Sequence, residues 1–218
     1  MARYFVTGTD TGVGKTYVTA RLAERGRQLG KRVFAWKPIE TGCELVNGAR
    51  LGADQEVISS EWQKGELRGV YRFVRPVAPL VAAEEEECPI EPGRIEEVFQ
   101  IGTAGADLTL VEGAGGWRVP VTRELDMSGI ARMLELPVIV VARGSLGTIN
   151  HTLLTVEAVL RDLQTVAAVV LSCKPTEDAA FVEQNVREIG RRFSGRVIEL
   201  WNDPTVLDEL IEPLGGQV

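Results

Sequence analysis

Short runs of aliphatic and β-branched residues alternate along the chain with longer stretches in which apolar positions recur every three or four residues. The short runs predict strands buried on both faces at Tyr4–Thr7, Arg32–Trp36, Leu108–Val111, Val138–Ala142, Ala167–Leu171 and Val197–Leu200. The longer stretches predict helices at Lys15–Leu29, Leu51–Ser60, Pro92–Thr103, Met127–Leu134, Ile149–Asp162 and Ala179–Phe193. Glycine and proline gather at Gly113-Ala114-Gly115-Gly116 and Lys174-Pro175-Thr176, which read as loops. The stretch Arg75–Pro92 has no regular pattern, and its run Glu84–Glu87 reads as a solvated acidic surface, not a cation site. Strands alternating with helices predict an α/β fold: a mostly parallel sheet, helices on both faces, right-handed crossovers. Such sheets bind ligands beyond the carboxyl ends of their strands, so the residues that follow each strand are the ones to inspect. No repeat or low-complexity linker divides the chain, which predicts a single domain over residues 1–218.

Composition narrows the partners. The 24 Lys and Arg against 31 Asp and Glu leave a net charge of −7, a poor match for a sequence-independent grip on nucleic acid. The three cysteines, Cys43, Cys88 and Cys173, are odd in number and widely spaced, so they suggest a reducing compartment and no disulfide framework. No apolar run approaches the ~20 residues that span a bilayer. The segment Met1–Val6 runs straight into a motif, which predicts no signal peptide. The expectation is a cytoplasmic protein with neither nucleic-acid nor membrane partners.

The motif after the first strand is Gly8-Thr9-Asp10-Thr11-Gly12-Val13-Gly14-Lys15-Thr16, followed by a helical pattern. Strand, glycine-rich turn, Lys-Thr and helix are the context of a phosphate-binding loop, and they predict a P-loop NTPase-type sheet. Glycines let backbone N–H groups turn inward, and the helix N-terminus adds its positive dipole end, so a polyphosphate can be held. Lys15 would reach the β- and γ-phosphates, and the Thr16 hydroxyl would bind Mg²⁺. The strict pattern asks for glycine where Thr9 stands, one residue after Gly8. A glycine-rich turn without a ligand is the plainer alternative.

Strand two ends in Trp36-Lys37-Pro38-Ile39-Glu40-Thr41-Gly42. Lys37 would face the same rim as Lys15, so that two ammonium groups converge on one anion; a surface lysine before a turn is the competing reading. Thr41 and Glu40 place a hydroxyl and a carboxylate nearby. Asp54, at the start of a predicted helix, either complements the helix dipole or joins Thr16 and Glu112 in an oxygen-only site suited to magnesium. Glu112 follows an apolar strand and precedes the Gly113–Gly116 run, well placed to hold Mg²⁺ directly or through water. His151 has no Ser or Cys signature beside it and reads as a helix-start residue. The amides of Gly147–Asn150, at a helix N-terminus, form a second anion site that suits a substrate carboxylate.

Taken together, the Gly8–Thr16 loop, Lys37-Pro38 with Thr41-Gly42, Val111–Trp117 and Gly147–His151 resemble the dethiobiotin synthetase family, in order and spacing, from residue 1 to about residue 171. The resemblance implies a homodimeric, Mg-ATP-dependent ligase of biotin biosynthesis. Its small-molecule substrates would be 7,8-diaminononanoate, CO₂ or bicarbonate, and ATP. One amine takes up CO₂ as a carbamate, ATP phosphorylates it, and the second amine closes the ureido ring with release of ADP and phosphate. By the same resemblance Lys37 is the catalytic lysine, with Lys15 beside it, and Thr11 and Thr41 lie around the carbamate and γ-phosphate. Gly12, Val13, Gly14, Lys15 and Thr16 match the phosphate cradle, and Glu112, Gly113, Ala114 and Gly115 a stretch beside nucleotide and substrate. Thr16, Asp54 and Glu112 match the Mg²⁺ positions. Gly147, Thr148, Ile149 and Asn150 match the helix start that holds the substrate carboxylate across the dimer interface.

Late in the chain the pattern departs from that family. Leu171-Ser172-Cys173-Lys174 stands where an asparagine reads adenine in many members, and Glu199-Leu200-Trp201-Asn202 replaces an Ile-Pro. Ser172 and Cys173 would still border the nucleotide, but a serine lacks the paired donor and acceptor of an amide, which predicts weak selectivity for the base. Two other readings fit less well: a partition-type ATPase would carry an extra loop lysine where Asp10 and Thr11 stand, and a cobalamin-type amidase would bring a glutaminase domain for which 218 residues are expected to leave no space.

Overall fold

The computed structural model describes residues 1–212. In chain order the strands are β1 (Ala2–Gly8), β2 (Val33–Trp36), β3 (Ile39–Thr41), β4 (Glu44–Val46), β5 (Ala49–Leu51), β6 (Tyr71–Phe73), β7 (Leu108–Gly116), β8 (Val138–Arg143), β9 (Val166–Ser172) and β10 (Val197–Leu200). The helices are α1 (Lys15–Gln28), α2 (Ala53–Ile58), α3 (Pro79–Glu85), α4 (Pro92–Thr103), α5 (Met127–Met133), α6 (Thr148–Arg161), α7 (Ala179–Gly190) and α8 (Asp208–Ile211). Six strands form one sheet in the order β10-β9-β8-β1-β7-β2, every pair parallel. β1 therefore sits inside the sheet, flanked by β8 and β7, and its carboxyl end opens at the centre of one rim.

The strands are apolar nearly throughout because both faces are covered. On one face α1 contributes Val18, Leu22 and Ala23, joined by Ile58 of α2 and by Leu207, Leu210 and Ile211 near the chain's end. On the other face α4, α5, α6 and α7 bury Ile95 and Phe99, Ile130, Val156 and Val159, and Val182 and Ile189. The predicted α/β architecture, with helices on both faces of a parallel sheet, is the observed one. Residues 213–218, included in the expected domain, lie outside the described residues.

Three local expectations are corrected. The glycine run after Val111 is strand, not loop: β7 continues to Gly116, pairing Val6 with Glu112 and Gly8 with Gly116 across a register shift. Glycines read as turn punctuation in a sequence, yet here they let neighbouring backbone approach a bulged strand. The stretch Arg75–Pro92 holds helix α3, with Pro79 at its first turn and Pro79, Ala82 and Ala83 buried. Its acidic run is tied down on both sides, Glu84 to Arg123 at 2.9 Å and Glu86 to Arg50 at 2.7 Å. Finally, Leu51 ends β5 and the helix begins at Ala53, because Asn47 and Gly48, both at positive φ, turn β4 back into β5 as a hairpin.

The β2 edge of the sheet is closed by side chains. Ser60 Oγ and Trp62 Nε1 donate to the Val33 carbonyl at 2.9 and 3.2 Å, and Gln63 Nε2 donates to the Ala35 carbonyl at 3.0 Å.

Candidate active site

A cavity of about 620 Å³ opens at the carboxyl end of β1. One wall is the phosphate loop, with Thr11, Gly12, Gly14, Lys15 and Thr16 facing it. The loop turns into α1 at Gly14, whose φ of 100° lies in the left-handed region that glycine alone adopts without strain. A Cβ there would also run into the Ser172 hydroxyl at the end of β9. No side chain caps α1 and no acidic residue sits in its first turn, so its N-terminal amides are left for an anion. The Lys15 ammonium curls back to the Asp10 carbonyl at 3.2 Å.

Facing that wall are Lys37, Thr41 and Asp54, and the floor is Ala114 and Gly115. Lys37 follows β2, whose last residue Trp36 pairs with Val111, so it lies beside Glu112 on the neighbouring strand. Its Nζ is 3.1 Å from Glu112 Oε1 and pairs also with Asp54 Oδ2. Thr16 Oγ1 donates to the same Glu112 oxygen at 2.8 Å. Lys37, in the turn after β2, thus meets Thr16 of α1, Asp54 of α2 and Glu112 of β7 below the phosphate loop.

Electrostatics follow from that meeting. Burial disfavours the charge on Lys37, but Glu112 and Asp54 outweigh it and hold the ammonium well above the usual lysine range. Burial, aided by Lys37, pulls Lys15 below the usual lysine range against the pull of Glu112. Burial also works against the Asp54 carboxylate, yet Lys37 and the Thr16 hydroxyl overcome it and hold Asp54 below the usual carboxylate range.

The donor set fits a hard cation. Glu112 is fully buried and its Oε2 has no hydrogen-bond partner, an acceptor that the protein alone leaves unsatisfied. Among the described residues no three His, Cys, Asp or Glu side chains form a metal cage. Magnesium needs none: it is held by one or two carboxylates together with waters and substrate phosphates. Thr16, Asp54 and Glu112 are of that kind.

Other predicted residues lie outside the cavity wall. Val13 is buried in the core under α1. Gly113 backs onto the Phe5 ring, which a Cβ would meet at 2.9 Å. Ser172 abuts Gly14, whereas the Cys173 thiol turns into the core and donates to the Leu171 carbonyl at 3.3 Å. Cys173 is buried, and its main-chain N–H is taken by the Leu200 carbonyl at 2.9 Å. Gly147, Thr148, Ile149 and Asn150 form the start of α6, as expected, but do not line this cavity within one chain. His151 lies in the first turn of α6, its amide bonded to the Gly147 carbonyl at 3.2 Å.

Sequence reasoning missed the remaining wall. Pro76, Val77, Ala78 and Pro79, with Val119, give the cavity an apolar side opposite the phosphate loop. The signal was present: a proline followed by apolar residues at the third and fourth positions, Pro79 with Ala82 and Ala83, marks a helix start with a buried face.

A glycine-rich turn between the central strand and a helix, with a buried acidic residue on the adjoining strand, defines a P-loop nucleotide-binding protein. A family model described as an AAA domain matches residues 2–199. In fold the chain is similar to a ParA family ATPase from Chlorobium tepidum, with a TM-score of 0.56 at 15% identity over 97% of this chain and 89% of that one. The septum site-determining protein MinD from Pyrococcus horikoshii gives 0.55 at 15% identity over 98% and 87%. Its sequence points further. It is 42% identical over 159 residues to the ATP-dependent dethiobiotin synthetase of Aromatoleum aromaticum, covering 72% of this chain and 71% of that protein. Over 192 residues it is 41% identical to the corresponding protein of Anaeromyxobacter sp. (strain K), covering 88% and 85%. The chain belongs to the ATP-dependent dethiobiotin synthetase family and is a ligase. Among the described residues no helix is long and apolar enough to cross a membrane.

Proposed function

We propose that this chain closes the ureido ring of dethiobiotin from 7,8-diaminononanoate, CO₂ and ATP, as a cytoplasmic homodimer of one domain per chain in biotin biosynthesis. The observation that carries the reading is the Lys37 ammonium, fixed by Glu112 and Asp54 on the wall that faces the phosphate loop. One substrate amine attacks CO₂ and loses a proton, giving a carbamate. A carbamate oxygen then attacks the γ-phosphorus, and the bond to ADP breaks. The second amine attacks the activated carbonyl carbon, phosphate departs, and the ring closes.

Both the carbamate and the transferring phosphoryl group are anionic. Two buried ammonium groups, Lys15 and Lys37, stabilise that charge in a cleft where water screens it little. Thr11 and Thr41 offer hydroxyl donors on the same walls. Gly12–Thr16 cradle the phosphates, with Ser172 and Cys173 toward the base. Thr16, Asp54 and Glu112 would hold magnesium, which when bound neutralises phosphate charge. The apolar side at Pro76–Pro79 suits the hydrocarbon chain of the diamine. Because Gly147–Asn150 lie away from the cavity, the substrate carboxylate would be met by the α6 start of a second copy.

The test is phosphate release coupled to detection of dethiobiotin by mass spectrometry. Release should require diaminononanoate and bicarbonate together. Release with nucleotide alone, at the same rate, would point to an ATPase of another kind.

A further inference from the structure

Glu40 is absent from the cavity wall, yet it governs what stands there. It is 5% exposed, and its side chain points away from solvent toward the start of α2. There Oε1 accepts from the Asp54 amide at 2.8 Å and Oε2 from the Gln55 amide at 3.1 Å. The residue that would normally cap such a helix is Gly52, which has no side chain with which to do so. Glu40, twelve residues earlier in the chain, supplies the missing acceptor. The absence of a side chain at position 52 is itself required, since a Cβ there would run into the Glu40 carboxylate. Its φ of −91° is open to any residue, so volume is the only constraint.

The two amides held by Glu40 belong to two of the residues that touch Lys37. Asp54 pairs with its ammonium, and Gln55 Oε1 accepts from its main-chain N–H. Gln55 is itself buried, and its amide group donates to the Ala35 carbonyl at 3.4 Å on the strand that leads to Lys37. One carboxylate of β3 therefore holds the start of six-residue α2, Gln55 ties that helix to β2, and Lys37 is gripped at both its ends by the residues so held.

We propose that Glu40 is a positioning residue for the ring-closing reaction: by holding the start of α2 it sets Asp54 and Gln55, and through them the place of the Lys37 ammonium. The claim rests on the function proposed above for Lys37. A carboxylate is the group for this task because it accepts two N–H bonds at once through oxygens fixed in one plane. A glutamine keeps the shape but presents an NH₂ to one of the two amides, so it retains one bond.

The experiment compares Glu40→Ala, Glu40→Gln and Gly52→Ala with Lys37→Ala, measuring kcat, KM for ATP, thermal midpoint, and Mg-nucleotide affinity by calorimetry. Glu40→Ala should lower kcat by roughly 10- to 100-fold at temperatures well below its midpoint, the scale of a misplaced reacting group. It should also weaken the effect of magnesium on nucleotide affinity several-fold, because Asp54 moves. Glu40→Gln should fall between it and the unaltered enzyme. Gly52→Ala should reproduce the loss by pressing on the same carboxylate, and the double variant Gly52→Ala/Glu40→Ala should be no worse than the poorer single one. A lowered midpoint with unchanged kcat and magnesium response would make Glu40 a stability residue only and overturn the proposal. Additive losses in the double variant would overturn it as well. Should Glu40→Ala not fold, Gly52→Ala and Glu40→Gln decide the matter by the same criteria. If Lys37→Ala is inactive while Glu40→Ala and Gly52→Ala are normal, the positioning role fails alone; if Lys37→Ala is itself fully active, the functional reading beneath it fails.

Discussion

The two ends of the site are built differently. At the phosphate end the charged groups hold one another: Lys37 has Glu112 and Asp54, Thr16 has Glu112, and Asp54 has Glu40 behind it. At the end of β9 Ser172 abuts Gly14, and the Cys173 thiol faces the core. Over-determination fixes geometry where small displacements are costly to chemistry. A sparse boundary leaves the bound group freer, and selectivity between similar ligands needs paired donors and acceptors that a lone hydroxyl does not supply.

That contrast can be broken by experiment. The largest effect is expected at its charged centre: Lys37→Ala should lower turnover by about 10²- to 10⁴-fold while nucleotide still binds, since the ammonium acts on charge that develops during reaction. Single-turnover kinetics beside a nucleotide-binding titration would separate the two. Next comes Glu112→Gln, isosteric but uncharged. It should raise the magnesium concentration needed for half-maximal rate by at least tenfold with the fold intact by circular dichroism; an unchanged magnesium titration would remove Glu112 from the metal's surroundings. At the sparse end, turnover with CTP or GTP should be a sizeable fraction of that with ATP in a nucleotide panel. Strict dependence on ATP would show that groups beyond the Ser172 hydroxyl read the base.

The smallest effect concerns stability. Burial pushes the Cys173 thiol from its ordinary 9.0 up to about 12. Below pH 9 the thiol is neutral in folded and unfolded chains alike, and its contribution is fully present. As pH rises from 9 toward 12 the unfolded chain loses the proton first, so folding is progressively disfavoured. Alkaline denaturation should therefore begin at higher pH in Cys173→Ala than in the unaltered protein, as read by tryptophan fluorescence.

What was legible in the sequence tracks what is local. Buried parallel strands and long amphipathic helices announce themselves by period, and Pro92–Thr103 and Val197–Leu200 have their predicted bounds. The phosphate loop was legible because strand, glycines, Lys-Thr and helix are contiguous. Glu112 was legible as a carboxylate at the end of an apolar run, although the strand proved to continue past it to Gly116. The hairpin turn at Asn47-Gly48 was written in the chain and went unread, as was the proline that starts α3. Glu40 belongs to another category. Its task depends on the start of α2 folding back onto β3, a contact from one carboxylate to the amides of residues 14 and 15 positions further on, which no residue pattern encodes.

The closed margin beside β2 has a consequence for how copies of this chain meet. With the Val33 and Ala35 carbonyls already occupied by Ser60, Trp62 and Gln63, that border offers little for a foreign strand to hydrogen-bond. A second molecule would therefore not join there by extending one continuous sheet. The same occlusion guards the strand that leads to Lys37 against runaway stacking into fibres.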